Sequence, residues 1–251
     1  MSIKRFSLSI KIYLFLIIIL ATLAALNLFL PQGNFPNMTD QELPASKTVL
    51  AIVNASIMLF LYGGLGFIGI LLSKKLGFPD IWDSKVSNKQ RLQTPALIGI
   101  CLGFFFILID LFFSRFYALR PLPHPPFPSS LVASIIAGIG EEVIFRLFFI
   151  SFWVWFISTI ILKRKFQSQV FWIVTFFSAL VFAAGHIPSV MILFKFNSFN
   201  EVPILLLAEI ILLNGVLSVL AALYFRKFGF LAAVSIHFWA DIIWHVIYGI
   251  L

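Results

Sequence analysis

Apolar residues run along this chain in long blocks separated only by short polar gaps. A helix needs about 20 such residues to cross a bilayer, and the blocks reach that length repeatedly. They fall near Ile12–Leu30, Thr48–Leu72, Pro95–Phe113, Leu131–Leu162, Val170–Phe194, Pro203–Tyr224 and Phe230–Leu251, which predicts seven spans. The block Leu131–Leu162 is too long for one upright crossing, so it must tilt strongly, bend or project beyond the bilayer. The first block follows Lys4, Arg5 and Lys11 and so resembles a signal peptide. Its apolar run nevertheless continues past any small-residue cleavage site to Leu30, which reads as an uncleaved anchor.

Composition agrees with this pattern: 61% of residues are hydrophobic, 11% are charged, and there are 31 Phe and 6 Trp. Such a balance excludes a soluble globular domain. The chain reads as an all-α polytopic membrane protein, one transmembrane domain over residues 1–251. Residues 1–128 hold the N-terminal spans and loops, and 129–251 hold the motif-bearing part. The net charge of +8 is mostly a topology signal. With the N-terminus in the cytoplasm, the inner loops carry Lys4, Arg5, Lys11, Lys74, Lys75, Lys85, Lys89, Arg91, Lys163, Arg164, Lys165, Arg226 and Lys227. The outer loops carry Lys47, Arg115, Arg120 and Lys195, and Arg146 alone stays in the membrane. No nucleic-acid partner is needed to explain the charge. Cysteine labelling is expected to place the loops around Lys85 and Arg164 in the cytoplasm and the loop around His124 outside. Cytoplasmic labelling at position 124 contradicts that orientation.

The single cysteine, Cys101, lies in an apolar span and excludes a disulfide framework or a thiolate metal site. The stretch RPLPHPPFP, residues 120–128, is stiff and extended because each proline fixes φ and disfavours helix in the residue before it. It reads as an outer loop that sets the angle of the next helix, with no chemical role for His124.

The informative residues are the ionisable groups inside the apolar blocks: Asp110, Glu141, Glu142, Arg146, His186, Glu209, His237, Asp241 and His245. A charge at mid-membrane costs about 2.5–3.5 kcal/mol on insertion scales, so each should have a partner or a task. Glu142 and Arg146 are spaced i, i+4 on one helical face and read as an ion pair. Glu141 is turned about 100° away, so Arg146 cannot hold both carboxylates equally. The carboxylate left over in a low-dielectric setting either takes up a proton or becomes a usable general base. For Asp110 and Glu209, pairing with another helix is the simpler reading.

The histidines add to this picture. FAAGH places Phe182 and His186 one turn apart, and HFWADIIWH stacks His237, Asp241 and His245 at successive i, i+4 steps. Counted from the outer ends of their spans, Glu141, His186 and His237 lie roughly 12–21 Å deep at 1.5 Å per residue, so tilted helices bring them together. Pro188 follows His186 closely, where a kink could leave carbonyls facing a polar cavity.

EEVIFR, FAAGH and HFWAD resemble the Glu-Glu-x-x-x-Arg, Phe-x-x-x-His and His-x-x-x-Asn/Asp motifs of the CAAX prenyl protease and bacteriocin-processing (Abi) family of intramembrane proteases. They occur in the family's order over residues 141–241. The resemblance implies helices around a water-filled catalytic cavity and hydrolysis of a membrane-associated peptide or protein substrate, in a bacterial plasma membrane. It implies Glu141 as the base that activates water and His186 as a residue that holds and polarises it. His237 and Asp241 would face the developing oxyanion, with Glu142, Arg146 and Phe182 in support. No cofactor is required in this reading. Zinc is the alternative, held by His186, His237, Asp241 and Glu141, although a helical His-Glu-x-x-His signature is absent. Asp241 stands where many family members have Asn, so to donate to an oxyanion it must carry a proton; otherwise it orients His237 or binds a cation. A non-catalytic scaffold or bacteriocin-immunity protein binding a peptide in the same cavity is the reading from another class. A transporter would be expected to show an internal hydropathy repeat, and none is evident.

Overall fold

Within lipid a backbone must satisfy its own hydrogen bonds, and a helix does so inside one segment. The computed structural model describes residues 7–33, 44–117 and 122–251. Lys4, Arg5 and Arg120 of the charge asymmetry, and the first two residues of the proline-rich stretch, lie outside them. Among the described residues there is no strand. Seven helices are long and apolar enough to cross a membrane: α1 (Leu8–Phe29), α2 (Lys47–Lys75), α3 (Lys89–Phe113), α4 (Ser129–Ile161), α5 (Gln167–Phe194), α6 (Ile204–Phe228) and α7 (Phe230–Ile250). The protein is an all-α integral membrane protein, as its hydropathy pattern predicts.

Two helices form the centre. In its most apolar window α7 is 56% buried, against 22% for α2, so α7 is enclosed by protein while α2 presents most of its surface to lipid. Close packing of α3 on α7 depends on Gly99 and Gly103. A Cβ on Gly99 would strike the Ile236 carbonyl, and one on Gly103 would strike Ile243. This is the small-xxx-small device by which membrane helices approach backbone to backbone. The other central helix, α4, contributes Val143, Leu147, Ile150 and Val154 to a core shared with Tyr13 and Leu20 of α1, Ile70 of α2 and Phe171 of α5.

At 33 residues α4 is one continuous run, about 50 Å at 1.5 Å per residue, so its excess length is taken up by tilt or protrusion. Its turns widen to the π type over Val143–Ile150, immediately after Glu142, and α7 does the same over Ile242–Ile247, immediately after Asp241. The same type of turn also occurs over Ile57–Tyr62, Lys89–Gln93 and Trp155–Ile161, so it does not by itself mark the site. Helix α5 passes through Pro188 without interruption.

Candidate active site

The approach of α4 to α7 places the polar residues. A Cβ on Gly138 would lie 3.2 Å from the backbone of Phe238, so glycine lets the two helices touch one turn before Glu141 and Glu142 and beside His237. The carboxylates then diverge as their 100° offset requires. Glu142 is fully buried and pairs with Arg146, Oε1 to Nη1 at 3.0 Å, both side chains having no exposure. The same Oε1 accepts a hydrogen bond from Nδ1 of His237 at 2.8 Å. Glu141 takes no part in the arginine pair. Its side chain is one-third exposed, with Oε2 3.7 Å from Nε2 of His237. Asp241 Oδ2 approaches the same Nε2 at 3.5 Å.

Phe182 explains why a phenylalanine stands one turn before His186. Its ring lies under the Arg146 guanidinium at 4.7 Å, a cation–π contact in which a charge without water gains most. The ring also meets that of His237 at 5.9 Å and that of His186 at 5.0 Å. One buried aromatic thus spaces the arginine and both histidines. In His186, Nδ1 donates to the Phe182 carbonyl at 2.9 Å. A carbonyl can only accept, so the neutral ring carries its proton on Nδ1 and keeps a lone pair on Nε2.

Glu141, His186, His237 and Asp241 line one cavity of about 250 Å³, whose remaining wall is largely apolar, including Phe106, Leu213 and Leu217. The four expected site residues from three helices therefore meet, and Glu142, Arg146 and Phe182 lie behind them. Among the described residues no three His, Cys, Asp or Glu side chains stand in a metal-holding arrangement. Nδ1 of both histidines is engaged, by Glu142 and by the Phe182 carbonyl, which leaves Nε2 of each ring for a proton, a water or a metal.

Sequence reasoning set His245 on the face of His237 but gave His124 no part in the site. His245 also lines the cavity, and its Nδ1 lies 3.1 Å from Nδ1 of His124, so one ring donates and the other accepts. His124 packs edge-on against Trp244 at 4.8 Å. Burial pushes its pKa down to about 4, so it is neutral near pH 7. Asp110 accepts from the Leu122 backbone N–H at 3.0 Å and from the Tyr248 hydroxyl at 3.2 Å, and Tyr117 donates to Glu209 at 2.5 Å. The Leu122 bond to Asp110 and the His124–His245 contact hold the proline-rich stretch at the cavity, which Leu122 and Pro123 line. Interhelical pairing of Asp110 with α7 agrees with the reading of that residue.

Residues 123–243 match the family described as type II CAAX prenyl endopeptidase, Rce1-like. No curated protein and no solved structure matches the chain. The matched segment contains all seven motif residues, from Glu141 to Asp241. Over that segment, just under half of its length, the chain is similar to the Rce1-like type II CAAX prenyl endopeptidases.

Proposed function

We propose that this protein is an intramembrane endopeptidase that hydrolyses a peptide bond of a membrane-associated substrate with water activated by Glu141. The observation that carries the proposal is the separation of the two adjacent carboxylates. Glu142 is consumed by Arg146 and His237, whereas Glu141 faces the cavity beside two histidines. In this mechanism the Nε2 lone pair of His186 accepts from the water and turns its oxygen toward the scissile carbonyl. Glu141 takes the water's proton as the C–O bond forms. Negative charge gathers on the former carbonyl oxygen, facing His237 when Nε2 carries a proton. Collapse of the tetrahedral intermediate breaks the C–N bond, and the amine leaves with the proton from Glu141. General-base catalysis of this kind contributes about 10²–10⁴-fold. A single preorganised donor to the oxyanion contributes about 10²–10³-fold.

Glu142 is a positioning residue, since its bond to Nδ1 sets the ring orientation of His237. The substrate is a peptide or protein at the membrane, and the first probe is a reporter peptide with a farnesylated C-terminal CAAX sequence beside its unprenylated counterpart. The N-terminus lies in the cytoplasm in this proposal, following the lysine and arginine asymmetry.

Asp241 separates the metal-free route from a zinc-dependent one. An Asp241 that donates to the oxyanion must carry a proton, and asparagine is a permanent donor of similar shape. Asp241→Asn is therefore expected to retain or raise the cleavage rate, with no zinc in the purified parent and no response to a zinc chelator. A zinc ligand must be ionised, so the same change would lower metal content and activity together. Stoichiometric zinc in the parent, lost with turnover in the variant, overturns the metal-free route.

A further inference from the structure

Glu141 borders two cavities. Besides the one shared with the histidines, a second of about 200 Å³ lies on the adjoining face of α4, against α1 and α2, and is lined by Asn27, Met58, Tyr62, Ala133 and Gly140. Ala137 and Glu141 belong to both, so the carboxylate forms part of the partition. Polar groups gather in this second space although α1, which forms one wall, is among the most apolar helices of the chain. The Asn27 side-chain oxygen is buried without a protein hydrogen-bond partner. Tyr62 stands within electrostatic range of Glu141. The volume far exceeds the roughly 10–15 Å³ that one water needs, and Asn27, Tyr62 and Glu141 set polar groups into its otherwise apolar wall, the partners a water requires.

Hydrolysis consumes one water per turnover, and a peptide occupying the first cavity blocks replacement, from that side, of the one that His186 and Glu141 hold. We propose that the cavity between α1, α2 and α4 is a water compartment that delivers the nucleophile to Glu141 from the side opposite the bound peptide, with Asn27 and Tyr62 as positioning residues. This inference rests on the reading of Glu141 as the base. It assigns a role to spans outside the family match over residues 123–243, since Asn27, Met58 and Tyr62 all precede it.

The test uses the full chain in lipid nanodiscs. Hydroxyl-radical footprinting should oxidise Met58 and Tyr62, with no comparable modification of Phe60, which is 78% exposed and faces lipid. Ala133→Phe places a ring in the second cavity without lining the first. It should lower labelling at Met58 and Tyr62 several-fold and slow cleavage of the farnesylated reporter about tenfold or more, as the supply of the base-activated water fails. Reporter binding measured in a Glu141→Gln background should not change. Tyr62→Phe keeps the ring and should lower kcat several-fold at unchanged KM. Protection of Met58 and Tyr62 equal to that of Phe60, as for a compartment filled by lipid, overturns the proposal, and that footprint needs no variant. So does a dried compartment in Ala133→Phe with parental turnover. Parental turnover in Glu141→Gln alone is a different failure, that of the base assignment.

Discussion

Arg146→Ala is expected to destabilise the protein by about 3–5 kcal/mol, the range for removing one partner of a buried ion pair. Glu142 has no exposure, and Arg146 is its partner at 3.0 Å. Without the guanidinium a carboxylate is stranded at membrane depth, where water cannot reach it. The arginine also covers the face of Phe182, so its loss removes the platform that spaces the two histidines. Thermal unfolding in lipid should shift downward and peptide cleavage should fall with it. Arg146→Lys should rescue only part, because an ammonium is a point charge that cannot lie flat on the ring while it pairs with the carboxylate. Combining Arg146→Ala with Glu142→Gln should recover part of the stability, since the stranded charge is gone, while activity stays low because His237 has lost its ionised partner on Nδ1. Unchanged unfolding in Arg146→Ala contradicts the ion-pair account.

The seven spans were legible because a bilayer imposes one length and one polarity on every crossing segment, and the chain has few charges to blur the limits. The core of the site was legible for a related reason. Polar groups inside apolar blocks are costly, so Glu141, Glu142, Arg146, His186, His237 and Asp241 stood out against their surroundings. Helical spacing then separated Glu142 from Glu141, and the structure pairs Arg146 with Glu142 alone.

What stayed hidden depends on contacts between spans, which periodicity within one span does not encode. His124 and His245 are 121 positions apart, and the proline-rich stretch around His124 gave no sign that it folds back over α7. The contribution of α1 and α2 was hidden in the same way, since Asn27 and Tyr62 become notable only when their helices enclose a space beside Glu141. Glycines at 99, 103 and 138 carried a signal that apolar counting discards, because their value lies in the missing Cβ. Pro188 does not end its helix, since α5 runs continuously through it.

Glu141→Gln carries the largest expected effect on chemistry. Glutamine has the same shape and reach but cannot take a proton from water, so the general-base contribution of about 10²–10⁴-fold is lost. Folding should be untouched, because Glu141 is one-third exposed and lies outside the Glu142–Arg146 pair. His186→Ala should give a similar loss, by removing the acceptor that orients the water. The most direct measurement is cleavage of the farnesylated reporter peptide in proteoliposomes, followed by mass spectrometry for the parent and for Glu141→Gln at matched thermal stability. The account predicts defined cleavage by the parent and loss of that product in the variant; cleavage by Glu141→Gln at the parental rate contradicts it.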